Sequence, residues 1–183
     1  MTELTFRPAT LADIPALVEL VTSAYRGDVS KQGWTTEADL LDGQRIDPEV
    51  LRGDIERPRS RVILAEGQHG GDRQLLACVH VAEENGAGYL GMFSVRPDGQ
   101  GAGIGKQVMR EAERYVHEDL HLPALRMTVI DIRDELIAFY ERRGYVRTGI
   151  KKPFPYGDER YGIPKRDDLR FEVLEKRLQE ASA

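Results

Sequence analysis

Four glycines stand at alternate positions in one short stretch, Gly99, Gly101, Gly103 and Gly105. An apolar run ending at Val95 precedes them, and Ile104, Val108, Ala112, Tyr115 and Val116 follow at helical spacing. Glycine lets the main chain turn tightly and lets a ligand approach it. The first turn of the helix adds N–H groups without helical partners and the positive end of the helix dipole. Strand, glycine loop and helix in that order make an anion site, and a pyrophosphate suits it. Two other phosphate loops fail on spacing. A Walker loop needs glycine, four residues, then Gly-Lys-Ser/Thr; here Gln100 stands five before Gly105, and Gln107 follows Lys106. The dinucleotide fingerprint needs a third glycine five places after the first, but that place is Ile104 counted from Gly99 and Lys106 counted from Gly101.

The elements that would position this loop are legible on both sides of it. Leu4 and Phe6 alternate as a short strand, and Thr10 with Asp13 opens a helix carrying Leu11, Ile14, Leu17, Val18 and Val21. The polar stretch from Gly27 to Asp47 is irregular, and Asp47-Pro48 starts a second helix. Three strands follow, at 61–65, 75–81 and 88–95, joined by glycine-bearing links that suit hairpins. After the loop and its helix come a strand at 125–130 and a helix carrying Leu136, Ile137, Phe139 and Tyr140, with Gly144 as its stop. A strand starts at Tyr145-Val146, a long loop runs from Lys152 to Asp168, and Leu169, Phe171 and Val173 alternate in a closing strand.

Gln100-Gly101-Ala102-Gly103-Ile104-Gly105 resembles the Gln/Arg-x-x-Gly-x-Gly/Ala signature of the GNAT acetyltransferase superfamily. Its context is similar too: Phe93-Ser94-Val95-Arg96-Pro97 fits the family's apolar-x-Val-x-Pro, and Phe139-Tyr140-Glu141-Arg142-Arg143-Gly144-Tyr145 resembles its apolar-Tyr-Glu-Lys-x-Gly-Phe/Tyr. The resemblance implies a mixed α/β (α+β) fold, with a largely antiparallel central sheet flanked by helices, and one N-acetyltransferase domain over 1–183. It implies acetyl-CoA as cosubstrate and transfer of an acetyl or other short acyl group to a primary amine by direct attack. A catalytically silent coenzyme A-binding sensor or partner module is the alternative.

The family's roles carry over residue by residue. The strand at Phe93 to Val95 is expected to bulge, so that Phe93, Ser94 and Val95 pair with the pantetheine arm and the Phe93 amide serves as oxyanion donor. Gln100, Gly101, Ala102, Gly103, Ile104, Gly105 and Lys106 would form the pyrophosphate site, with Lys106 or Arg110 adding charge. Tyr140 matches the tyrosine that protonates the departing thiolate. Many members carry an Asn where this chain has Arg133, which would reach a phosphate instead.

On the acceptor side, a base must deprotonate the amine. Glu84 is taken as that base, with Glu83, His80 and Tyr89 as other candidates. Tyr25, Trp34, Tyr89, Tyr156 and Glu159 are expected to contact the acceptor, and Asp158 with Glu159 would draw a cationic amine. A long aromatic loop in a compact domain is unusual enough to point to function.

Composition bounds the partners. The 183 residues carry a net charge of -5, and no basic stripe of the kind that binds nucleic acid is visible. Cys78 is the single cysteine, so an internal disulfide is impossible. Neither a signal peptide nor a membrane helix is evident at the N-terminus, so a cytoplasmic location is expected, with no membrane partner and no metal. The resemblance allows a homodimer.

Overall fold

The computed structural model describes residues 3–33, 36–43, 45–159 and 162–178. Its main sheet has seven strands in the order β1 (Thr5–Pro8), β3 (Ser60–His69), β4 (Asp72–Glu84), β5 (Ala87–Val95), β6 (Ala124–Ile130), β9 (Arg170–Arg177) and β7 (Val146–Pro153). All neighbours run antiparallel except β5 and β6. A ladder of two short strands, β2 (Leu41–Asp42) and β8 (Ile163–Pro164), lies apart from it.

Alternation along the strands sends side chains to two faces. Val62, Leu64 and Cys78 pack under α1 (Ile14–Tyr25) and α3 (Pro48–Glu56), against Leu17, Val21, Ala24 and Leu51. Ile63, Val79 and Val81 pack on the other face under α4 (Ile104–Arg114) and α5 (Asp134–Glu141), against Val108, Met109, Ala112 and Ile137. Two helix starts carry the caps that their sequences predict. Asp47 caps α3 by accepting from the amides of Glu49 at 2.8 Å and Val50 at 3.3 Å, with Pro48 in the first turn. The Thr10 amide donates to the Asp13 carboxylate at 2.8 Å, the reciprocal contact of a capping box, although the first turn is 3-10 and α1 proper begins at Ile14.

Two expectations need correction. The stretch 27–47 is not wholly irregular: Gly27–Ser30 forms a helical turn, α2, and Leu41–Asp42 forms β2. The loop 152–168 contains β8, which pairs with β2. Lys165 tightens this joint by donating its amide to the Leu40 carbonyl at 2.8 Å and its ammonium to the Ala38 carbonyl at 2.6 Å. Leu41, Phe154, Leu169 and Ile130 form a small core beneath it. No local period announces such a contact, because its halves lie about 120 residues apart and each strand is only two residues long. Among the described residues no helix is long and apolar enough to cross a membrane.

Candidate active site

β5 breaks its ladder at the site. Cys78 pairs with Ser94 and His80 with Gly91, so β5 spends one residue more than β4 between the two rungs. The extra residue makes a bulge at Met92, whose φ of 55° is left-handed and strained for a non-glycine residue. The surroundings hold this conformation. The Met92 carbonyl accepts from the Ser94 hydroxyl at 3.2 Å and the Cys78 thiol at 3.6 Å, and the Phe93 carbonyl accepts from the Tyr25 hydroxyl. Burial keeps both donors protonated: it raises the Tyr25 phenol and pushes the Cys78 thiol up to about 12.

Beyond the bulge the sheet opens. β5 and β6 pair only through Gly88, Tyr89 and Leu90 with Leu125, Arg126 and Met127. From there β5 runs on to Val95 and β6 to Ile130 without pairing to each other. A cavity of about 300 Å³ lies at this opening, lined by Gly91, Met92 and Phe93 of β5, by Thr128 and Val129 of β6, and by Tyr140 of α5. Tyr140 packs edge-on against Phe139 and Tyr145, at ring separations of 5.4 and 5.9 Å. Burial, and after it the neighbouring Tyr25, hold the Tyr140 phenol well above its ordinary pKa, so it carries its proton at neutral pH. Its hydroxyl has no hydrogen-bond partner among the described residues.

The far side of the cavity is charged. Glu37 accepts from Arg26 at 2.6 Å and from Arg133 at 3.3 Å, and Arg45 lies 3.6 Å away. Desolvation alone would raise the Glu37 carboxyl, but Arg45, Arg133 and Arg26 outweigh it and hold the group below its ordinary value. Glu37 is therefore a fixed anion and a poor base at neutral pH. Arg45 also stacks over Tyr25, 4.9 Å from the ring centre.

The glycine loop sits at the other end of β5. Gly101 and Gly103 adopt φ of 93° and 80°, which a side chain would strain, and Gly103 is the residue at which α4 begins. The first helical main-chain bond runs from Gln107 to Gly103, so the amides of Ile104, Gly105 and Lys106 precede the helical ladder. Gly101, Ala102 and Lys106 are exposed. Gln100 braces the loop by donating its carboxamide to the Val95 carbonyl at 3.1 Å. Ser94 and Val95 are buried as whole residues, and on the side of β5 away from β4 they pair with no strand among the described residues. These features fit coenzyme A: left-handed glycines and an uncapped helix start for its pyrophosphate, and an unpaired strand edge towards Tyr140 for its pantetheine arm.

The other expected site residues are divided. Tyr25 lines the cavity. Arg133 lines it too, bound to Glu37 and to the Thr36 carbonyl rather than to the glycine loop. Glu84 pairs with Ala87 at the hairpin tip, five residues and about 17 Å along β5 from the bulge, and does not line the cavity. Tyr89 accepts from Lys152 at 3.0 Å on the paired part of β5. Tyr156 is a loop staple: its hydroxyl donates to the Arg166 carbonyl and accepts from the Leu169 amide, both at 2.9 Å. Glu159 is exposed, and neither it nor Asp158 lines the cavity. Trp34 lies outside the described residues. His80 contacts Ser60 at 2.8 Å and Asp54 at 3.7 Å beside a smaller neighbouring hollow, and burial holds its pKa below the ordinary value. Glu37 and Arg45 went unnoticed in the sequence. Their only signal there was a run of opposite charges in an irregular segment. No group of three or more His, Cys, Asp or Glu among the described residues is arranged to hold a metal ion.

A model of the acetyltransferase (GNAT) domain matches residues 27–154, and the chain belongs to that family. No curated protein sequence matches it. Among solved structures it resembles the ribosomal-protein alanine N-acetyltransferase of Escherichia coli, at 14% identity and a TM-score of 0.68, over 98% of this chain and 97% of that one. It also resembles the spermidine/spermine N-acetyltransferase SpeG of Vibrio cholerae, at 16% identity and 0.65, over 96% and 93%. The IAA acetyltransferase of Bacillus cereus, at 17% and 0.64, is covered in full by 96% of this chain. At these identities the likeness speaks for the fold: a mixed sheet, largely antiparallel, flanked by helices.

Proposed function

We propose that this acetyltransferase moves an acetyl or short acyl group from acetyl-CoA to a primary amine by direct attack, within one domain. The observation that carries the reading is the opening between β5 and β6, with a strained bulge on one side and a buried, protonated Tyr140 on the other. The loop 101–106 would hold the pyrophosphate through main-chain N–H groups, and the free edge of Phe93 to Val95 would pair with the pantetheine arm. With its carbonyl taken by Tyr25, Phe93 would offer its amide to the thioester oxygen.

In the transfer a C–N bond forms, the C–S bond breaks, the amine loses a proton and the departing sulfur gains one. Tyr140 supplies the proton to sulfur. Its raised pKa does not disqualify it, because the dryness that raises a phenol raises a thiol as well, as Cys78 at about 12 illustrates on the same sheet. Glu84 is too far along β5 to serve as the base. A panel of amines assayed by thiol release from acetyl-CoA tests the reading, with turnover of at least one class expected. Tight acetyl-CoA binding with no turnover across the panel would contradict it.

A further inference from the structure

Arg26, Arg45 and Arg133 meet one carboxylate, Glu37, so the cavity holds two positive charges more than negative ones. Among the described residues no other Asp or Glu lines it. The three arginines are not equivalent. Arg26 is buried and Arg133 largely so, at 9% side-chain exposure, and both are hydrogen-bonded to Glu37. Arg45 is partly open, at 30% side-chain exposure, and stands beyond hydrogen-bond reach of Glu37. It makes no hydrogen bond among the described residues, so the donors of its guanidinium remain available. On its other side it borders the hollow that holds Asp47 and Asp54, yet it pairs with neither. Asp47 is occupied as the cap of α3, and Asp54 faces His80.

Its position relates this guanidinium to the chemistry. Arg45 stacks on the ring of Tyr25, and the Tyr25 hydroxyl holds the Phe93 carbonyl at the bulge. A single tyrosine therefore separates Arg45 from the residue proposed to bind the thioester oxygen. Leu41 and Phe154 supply apolar wall to the same cavity. A cavity of about 300 Å³ stands at the lower end of the range for small-molecule sites, roughly 300–1,000 Å³. It is too small and too enclosed by charge to favour a polycation, since the like charges of Arg45 and Arg133 would oppose one.

We infer that the acceptor is a compact amino acid, with its carboxylate on Arg45, its apolar part against Leu41 and Phe154, and its amine directed at the bulge. This rests on the acyl-transfer reading of the same site. It redirects acceptor recognition from Asp158 and Glu159 to the opposite charge: the site selects an anion beside the amine. Glu37 holds the arginine cluster in place and is spared catalytic duty.

The test compares kcat/KM for free amino acids, the matching amino acid amides and the matching decarboxylated amines, by thiol release from acetyl-CoA. The amides carry the less basic amine, so more of it is neutral at neutral pH. A preference for the acid then reports carboxylate recognition rather than amine reactivity. The acids are expected to exceed both counterparts by about 10- to 100-fold, the size of a charge-assisted hydrogen bond. Arg45→Gln, which leaves the buried Arg26–Glu37–Arg133 set intact, should bring that ratio close to one through KM, with the acetyl-CoA dissociation constant unchanged. Arg45→Lys should restore part of it. Equal or better turnover of amides or plain amines by the wild type overturns the inference and leaves acyl transfer standing. An undiminished ratio in Arg45→Gln also overturns it. No turnover of any amine, with acetyl-CoA bound, overturns both readings together.

Discussion

The loop before α4 and the cluster around Glu37 both offer positive charge to an anion, but they are built differently. The loop uses main-chain N–H groups from consecutive residues, 101–106, and needs only glycines that tolerate left-handed φ. The cluster uses side chains, and Arg133 comes from 96 positions beyond Glu37. The first is local and chemically general, as would suit the proposed cosubstrate, recognised by its phosphates. The second is assembled by tertiary folding, and its arginines can change without disturbing the loop.

Removing the anion at the centre of the cluster should have the largest effect. Glu37→Gln leaves three guanidiniums facing one another in a low-dielectric pocket, and breaking a buried ion pair costs about 3–5 kcal/mol. Urea unfolding should show that loss; a variant as stable as the wild type would mean that the arginines relax into solvent. The same residue sets an acid limb. Its folded-state pKa lies below the ordinary 4.5, so its contribution is fully present above that value and is lost as pH falls through the lower folded one. Wild-type stability should therefore fall more steeply than that of Glu37→Gln below about pH 4.5, and parallel curves would sever the pair.

A bulky residue in the loop should strike the proposed pyrophosphate site and spare the cluster, because no loop residue lines the cavity. Gly103→Val forces a β-branched residue into φ 80°, at a cost of about 1–3 kcal/mol in stability. It should weaken acetyl-CoA binding by about 100-fold in calorimetry; unchanged affinity would remove the loop from the site. The smallest effect is expected at Cys78. Buried and held near 12, its thiol should not react with a disulfide reagent in the native protein, so thiol-release assays carry no background from it. Stoichiometric labelling without denaturant would show that the bulge opens.

Much of this was legible in advance because it is local. The helix starts at Asp47-Pro48, the alternating strands and the glycine loop depend on neighbours within a few residues, and all stand where their sequence places them. The bulge was expected only through resemblance to the GNAT family, since methionine at φ 55° follows from no property of methionine. It persists because Cys78, Ser94 and Tyr25, on three different segments, bind the carbonyls around it. Glu84 looked suitable because it is an acid close in sequence to the right strand, yet the hairpin turns it to the wrong end. The cluster and the β2–β8 joint had no periodic signature for the same reason: their members meet only after the sheet is complete.

Tyr140→Phe separates binding from chemistry most directly, because it removes one hydroxyl and keeps the ring packed against Phe139 and Tyr145. With any accepted amine, acetyl-CoA affinity measured by calorimetry should stay within about 2-fold of wild type while kcat falls by about 100-fold, the usual scale of general acid catalysis. Equal kcat in the two proteins would contradict proton delivery by Tyr140 to the departing sulfur.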